Sequence, residues 1–235
     1  MKVSYDLHIH SALSPCADND MTPNNIVNMS IIKELDMIAV TDHNSCKNLR
    51  AVTEAAAGRI TVIPGIEVTT SEEVHVVCYF PTVEAAEAMG NLAESHLMPV
   101  KNKPEIFGNQ YIMDAEDDVI GEVEYLLVNA TDLDIYDVFK AAKKLGGIAI
   151  PAHIDRSSCS ILSNLGFFPP DLEFSAVEIT KKNLDKMAEE YEKYAILTSS
   201  DAHYLENISE PENFIDILDK SVEGFFEFIM QKGVI

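Results

Sequence analysis

The chain is short of cations, has few and scattered cysteines and no long apolar run, and each shortage closes off a class of protein. Lys and Arg number 17 against 39 Asp and Glu, a net charge of −22 over 235 residues. A surface that acidic repels polyanions, which excludes coating of duplex nucleic acid by counterion release. The four cysteines, Cys16, Cys46, Cys78 and Cys159, form no C-x-x-C pair. Neither a structural zinc finger nor a disulfide framework is therefore expected, and the thiols should be reduced. No stretch reaches the roughly 18–20 apolar residues that span a bilayer. The opening MKVSYDLHIH also turns polar too early to form the apolar middle of a signal peptide. A cytoplasmic location without membrane contact follows as an expectation. There is no internal repeat, low-complexity tract or Pro/Gly/Ser linker. With 47% hydrophobic residues, the chain should build one domain around a substantial core.

What is present is an alternation of short β-branched runs with stretches of helical period. Strands are expected at Val3–His8, Met37–Thr41, Thr61–Glu67, Val74–Phe80, Gly147–Pro151, Ala176–Ile179 and Ala195–Thr198. Thr22 and Pro23 read as the N-cap and first-turn proline of a helix through about Leu35. Further helices are expected over Asn48–Ala57, Val83–Ser95, Ile135–Leu145, Leu184–Tyr194 and Ser221–Gln231. Seven strands joined by crossover helices predict an α/β fold with parallel strands, barrel-like in the manner of a TIM barrel, with a doubly wound open sheet as the alternative. Residues 97–134 break the alternation, mixing Pro99, Pro104 and Gly108 with the acidic run Asp114–Asp118. They read as an insertion or lid on the same domain.

The chemistry lies at the strand ends. His8 and His10 form an H-x-H pair closing the first strand, where residues two apart point the same way. His43 follows Asp42 in AVTDHNS, Glu67 ends the third strand in IPGIEVTT, and His75 lies in the fourth. His153 follows the fifth in IAIPAHIDR, and Asp201 and His203 follow the seventh in LTSSDAHYL. A lone histidine is more often a surface or core residue, and His96 in AESHLMP is read that way. Six of seven gathered at strand ends instead indicate ligands converging on one face of a barrel. Asp42, beside a ligand histidine, is expected to orient it. Imidazoles with carboxylates and no thiolate cluster suit zinc, manganese or iron and disfavour calcium. Since a catalytic zinc takes about three protein ligands, eight candidates imply two or three divalent ions. Such a pocket would be net positive inside an acidic protein, selecting a compact anion, and phosphate-ester hydrolysis by a metal-activated water is the natural reaction.

The ordered set HIH, TDH, GIE, the histidine in the fourth strand, PAH and SDAH resembles the polymerase and histidinol phosphatase (PHP) family, from about residue 6 to residue 204. The resemblance implies a distorted (β/α)7 barrel with a two- or three-metal site and metal-dependent phosphoesterase activity. By it, His8, His10, Glu67 and Asp201 hold one ion. Glu67 bridges to a second ion on His75 and His153, and a third takes His43, His203 and a residue shortly after H-x-H. Glu67, Asp201 and His203 are the residues expected to act in catalysis. Many relatives read H-x-H-S-x-x-S-D-G, whereas this chain reads HIHSALSPCADNDMTP. Counting back from Pro23 gives Asp18 as the last ligand, with Cys16 the alternative. Arg156 is the candidate phosphate clamp, because its planar fork matches phosphate, and Lys181 is a weaker one. The expected partner is a small phosphorylated substrate, a nucleotide or a short oligonucleotide end, with histidinol phosphate as an alternative. A metal-dependent amidohydrolase and a non-catalytic metal-binding module are the competing classes.

Overall fold

The structure is a computed structural model in which residues 1–232 are described. In chain order it runs β1 (Lys2–Ile9), α1 (Pro23–Ile32), β2 (Met37–Val40), α2 (Leu49–Ala56), β3 (Thr61–Val62), β4 (Gly65–Thr69), β5 (His75–Tyr79) and α3 (Val83–Ser95). There follow the single turn α4 (Pro104–Phe107), the hairpin β6 (Tyr111–Met113) and β7 (Val119–Glu122), α5 (Ile135–Lys144) and β8 (Ile148–Pro151). The chain ends with α6 (Ile161–Asn164), β9 (Ala176–Glu178), α7 (Leu184–Met187), β10 (Ala195–Leu197), a 3-10 turn, β11 (Phe214–Asp216) and α8 (Val222–Lys232). No helix among the described residues is long and apolar enough to cross a membrane.

The α/β expectation holds, but the parallel one is corrected in two places. The strand expected over Thr61–Glu67 is two strands separated at Ile63 and Pro64, because proline has no N–H to give a ladder. Its first half, β3, pairs parallel with β2, and its second half, β4, pairs antiparallel with β5. Only Thr70–Val74 lie between β4 and β5, too few for the dozen or so residues of a parallel crossover. So β5 is reversed, running antiparallel to β8 as well. An unexpected strand, β11, adds antiparallel to β1.

Among the described residues the strands form four ladders, β11-β1-β2-β3, β4-β5-β8, β9-β10 and β6-β7, and do not close as one continuous barrel. Single links join the first three near the ends of the long strands. Ile9 bridges Ala202, His43 bridges Glu67, and Ile154 N–H donates to the Glu178 carbonyl. Val3, Tyr5, Leu7, Ala39, Val77, Tyr79, Ile150 and Leu197 pack into an inner core, plugged by Phe225, Phe226 and Ile229 of α8. A second core lies between strands and outer helices, with Ile26, Val27, Val52 and Met89 against Ile38, Val40, Ile66 and Val76.

Helix α1 starts as expected, with the Thr22 hydroxyl accepting from Asn25 N–H, but stops at Ile32 because Glu34 adopts φ 56°. The helix expected over Leu184–Tyr194 is one turn only. Of its apolar residues only Tyr191 is buried, and a short helix without an apolar face to bury is marginal. Residues 97–134 contain the β6–β7 hairpin, docked on the loop after H-x-H: Tyr111 N–H donates to the Ala12 carbonyl, and Asn48 Nδ2 to the Tyr111 carbonyl.

Phe225 is fully buried and meets Tyr79 edge-on, centroids 5.3 Å apart. Phe225→Ala should cost about 3–5 kcal/mol in chemical denaturation, whereas alanine at the exposed Ile32 should change stability by less than about 0.5 kcal/mol. Equal effects of the two would contradict the plug assigned to α8.

Candidate metal centre

The site residues arrive from several strands. His8 and His10 close β1, His43 follows β2, and His153, Asp201 and His203 follow β8 and β10. Glu67 lies in the middle of β4 rather than at its end. His75 reaches the same place from the first residue of β5, which works because that strand is reversed. His153 and Asp201 adopt φ of 28° and 53°, a region that non-glycine residues seldom occupy.

Glu67 is the hub. Its Oε1 lies 2.9 Å from His75 Nδ1, 3.3 Å from His8 Nε2 and 3.3 Å from His153 Nε2. Its Oε2 lies 3.0 Å from His43 Nδ1 and 3.4 Å from His10 Nε2. Asp201 Oδ1 lies 3.0 Å from His10 Nε2 and 3.3 Å from His8 Nε2. Three sets of ligand atoms are each mutually within 4.8 Å: His8, His10, Glu67 and Asp201; His43, Glu67 and His75; His10, His43 and His203.

These atoms fit metal ions on an independent ground. His8 Nε2, His10 Nε2, His43 Nδ1, both ring nitrogens of His153, Glu67 Oε2 and Asp201 Oδ1 are buried without a hydrogen-bond partner. Buried polar atoms are rarely left so. Their neighbours are close yet misaligned for hydrogen bonds, as expected of lone pairs converging on shared points. The clustered, buried His, Glu and Asp groups are those of a multinuclear metal site.

The expected residues are not all gathered. His153 falls outside the three sets, although its Nε2 reaches Glu67. Asp18 is exposed, its Oδ1 accepting from Asp20 N–H, and neither it nor the exposed Cys16 enters any set. His96 stands apart, paired with Asp132 at 2.5 Å. Arg156 Nη1 contacts Asp201 Oδ2 at 2.5 Å, while the exposed Lys181 pairs with Glu212. Both line a cavity of about 620 Å³ bordered by His153, Glu178 and Asp201.

Sequence reasoning missed the groups that hold the ligands. Glu178, buried at the end of β9, accepts from His8 Nδ1 at 2.9 Å and from His153 N–H at 3.0 Å. That fixes the His8 tautomer with Nε2 turned to the centre. The readable signal was an acid inside the apolar run SAVEIT, comparable to Glu67 in GIEVT. Asp42 does not bond the His43 ring. It accepts from the Ser11 and Ser14 hydroxyls at 2.6 and 2.7 Å, and Ser14 Oγ lies 3.0 Å from His10 Nδ1. Asp42 thus orients His10 through Ser14. Asp6 accepts from Ser200 N–H at 3.0 Å and Ser209 N–H at 2.8 Å, pinning both ends of the loop that bears Asp201 and His203. His203 Nδ1 meets the Asp201 carbonyl at 2.9 Å.

Without metal the centre's electrostatics follow from burial and mutual proximity. Burial alone would raise Glu67, but His75, His8 and His43 hold it well below the usual carboxylate range. Burial would lower His8, yet Glu178, Asp201 and Glu67 drive it well above its ordinary value. His10 is pushed well down by burial and by the neighbouring His43 and His203. His75 rises to about 10, Glu67 outweighing burial.

A proton consequence follows, because imidazole must be neutral to coordinate. Free histidine titrates near 6.5, whereas metal-free His75 keeps its proton up to about 10. Between those values an arriving ion expels it, so metal affinity should rise with pH across this window. Calorimetry at pH 8 in buffers of differing ionisation heat should detect the release, and buffer-independent heats would contradict it. Glu178→Ala should weaken metal binding about 10–100-fold, measured by competition with a chelator. Unchanged affinity would remove Glu178 from the centre.

A model of the PHP domain matches residues 6–210. The 5'-3' exoribonuclease Rnm of Salmonella typhimurium is 31% identical over 81 residues, 32% of this chain and 27% of that protein. The lesion-specific endonuclease PfuEndoQ from Pyrococcus furiosus superposes with a TM-score of 0.70 at 18% identity, covering 100% of this chain and 57% of that one. A Bifidobacterium adolescentis protein described as a metal-dependent phosphoesterase gives 0.62 at 16% identity, covering 98% and 96%. An amidohydrolase from Chromobacterium violaceum gives 0.60 at 17% identity, covering 97% and 96%. The chain therefore spans just over half of the Pyrococcus enzyme, and the structural likenesses are likenesses of fold. The family match takes in every motif from the H-x-H pair to SDAH, and the chain belongs to the PHP domain family.

Proposed function

We propose that this protein is a metal-dependent phosphoesterase acting on a phosphomonoester, or on the terminal phosphate of a nucleotide or short oligonucleotide. The observation that supports it best is the sharing of ligands. Glu67 belongs to two of the three sets, and a carboxylate offers two oxygens where His10 has only Nε2 free, its Nδ1 being held by Ser14, so ions sharing Glu67 would be held close together. Two or three divalent ions, zinc, manganese or iron, would activate a water as nucleophile and neutralise charge on the phosphoryl oxygens. The chain's own residues set the geometry. His8, His10 and Asp201 would hold the first ion with Glu67, and His43 and His75 a second, also with Glu67. His203 completes an all-imidazole third set with His10 and His43. In this reading His153 adds to the second ion, and Asp18 would join the third only if its loop turns inward.

Arg156 stands at the rim, where its guanidinium spans from Asp201 toward the cavity. It would give up part of that contact to a phosphate oxygen, with Lys181 farther along the same wall. His203, the most exposed of the ligand histidines with 22% of its side chain accessible, is placed to pass a proton to solvent. The names of the relatives, an exoribonuclease and a lesion-specific endonuclease, favour phosphoester chemistry over C–N hydrolysis. The net charge of −22 favours small substrates over long duplexes.

Purified protein should contain two or three ions per chain by elemental analysis and hydrolyse p-nitrophenyl phosphate after manganese or zinc loading. A screen that includes histidinol phosphate and 5'-phosphorylated oligonucleotides should find the preferred substrate. A single ion at full occupancy, or turnover of amides only, would overturn the proposal. Since ion-held charge stabilisation is worth several kcal/mol, Glu67→Ala should lower kcat/KM by about 100-fold or more, exceeding any single histidine change. Duplex DNA should bind only weakly at physiological salt, as read by fluorescence anisotropy.

A further inference from the structure

A second cavity, of about 780 Å³, lies at the opposite end of the strands from the metal centre. It is bounded by the first residues of β8, Ile148 and Ala149, and by Phe174 and Tyr194 just before β9 and β10. The far ends of those strands lead to His153, Glu178 and Asp201, so the two cavities share strands but not walls.

Its charge is unusual for this chain. Lys140 and Lys143 of α5 and Lys193 line it against Asp171 and Glu173, which gives 3 − 2 = +1 where the whole chain carries −22. Acids outnumber bases more than twofold, yet none of the three lysines is ion-paired among the described residues. The lysine pairs there belong to Lys33, Lys47, Lys101, Lys181 and Lys220. Three unpaired ammonium groups converging on one cavity suit a polyanion, and Lys140 and Lys143, three apart, share a helix face.

The remaining wall is aromatic. Phe174 and Tyr194 stack with centroids 4.7 Å apart, Phe139 meets Phe174 edge-on at 6.2 Å, and Lys193 Nζ lies 4.7 Å above the Tyr194 ring. Tyr136 adds a ring 45% exposed at the rim. The stacked pair and Lys193 cover one another, which leaves Tyr136 to offer a π-face to a flat base, and the volume falls within the range of about 300–1,000 Å³ usual for small-molecule pockets. We propose that this cavity binds a nucleoside polyphosphate, its base on Tyr136 and its phosphates on Lys140, Lys143 and Lys193.

The test titrates the metal-loaded protein calorimetrically with α,β-methylene-ADP, which resists hydrolysis at the bridging position. Binding should weaken about tenfold or more in the Lys140→Glu/Lys143→Glu double variant, and also in Tyr136→Ala, and should persist in Glu67→Ala. Circular dichroism confirms the fold of each variant, and metal content confirms that the lysine and tyrosine variants keep the metal centre that Glu67→Ala disrupts, whatever that centre hydrolyses. Three results would overturn the proposal: no binding up to millimolar probe, binding lost with Glu67→Ala but kept in the lysine variant, or inorganic pyrophosphate binding as tightly as the probe.

Discussion

Everything else in the structure is arranged around one buried carboxylate. Glu67 is 1% exposed and lies within 3.4 Å of five imidazoles. An ionised group in such a place costs several kcal/mol unless opposite charge accompanies it. Here protons on His8 and His75 supply that charge when no metal does, and divalent ions would supply it otherwise. The need to bring five rings to one carboxylate explains the fold's irregularities. Reversing β5 delivers His75, breaking the third strand at Pro64 frees β4 to pair with β5, and the bridge between His43 and Glu67 joins two ladders at the centre.

Rings aimed inward are only useful if they stay aimed. The support comes from outside the ligand set: Glu178 holds His8 and the backbone of His153, the Ser11–Asp42–Ser14 chain holds His10, and Asp6 pins the loop that carries Asp201 and His203. Asn48 extends the second of these, donating to Ser11 Oγ at 3.0 Å while its Oδ1 accepts from Met113 N–H at 2.9 Å. One amide thus ties the hairpin region to the ligand-bearing loop. The left-handed backbone at His153 and Asp201 is held by the same bonds, strain localised at ligands and stabilised by their surroundings.

Much of this was legible in the chain because metal ligands obey a simple spacing rule. His8, His10, His43, Glu67, His75, Asp201 and His203 were each recognisable from their place after or within an apolar strand, and all enter the three sets. The direction of β5 was readable too, since the gap before His75 is too short for a crossover, but the period-2 pattern is the same for either direction. Asp18 illustrates the limit. Counting along an expanded loop fixes sequence distance, not which way a side chain turns, and this one caps its own turn at Asp20. Asp6 and the two serines were invisible for another reason, and Glu178 showed only as an acid in an apolar run: a residue that holds a ligand needs only to touch it, and local spacing does not record which contacts are made across the fold.

The same hidden carboxylates change the charge balance on which anion selection rests. Glu67 and Asp201 alone would leave two divalent ions with +4 − 2 = +2 to spare. The structure adds Glu178 and Asp42 close behind the ligands, both buried, and each of them that carries charge would take one unit from that surplus. Attraction for a phosphate would then rest on Arg156 and on an ion at the third ligand set, His10, His43 and His203. That set contains imidazoles and no carboxylate, so an ion held there keeps its full double charge. It also includes His203, the ligand ring most open to solvent. Under the proposed function, ions sharing the carboxylates would secure the centre, and an imidazole-bound ion would be the one to draw an anion into an otherwise repelling protein.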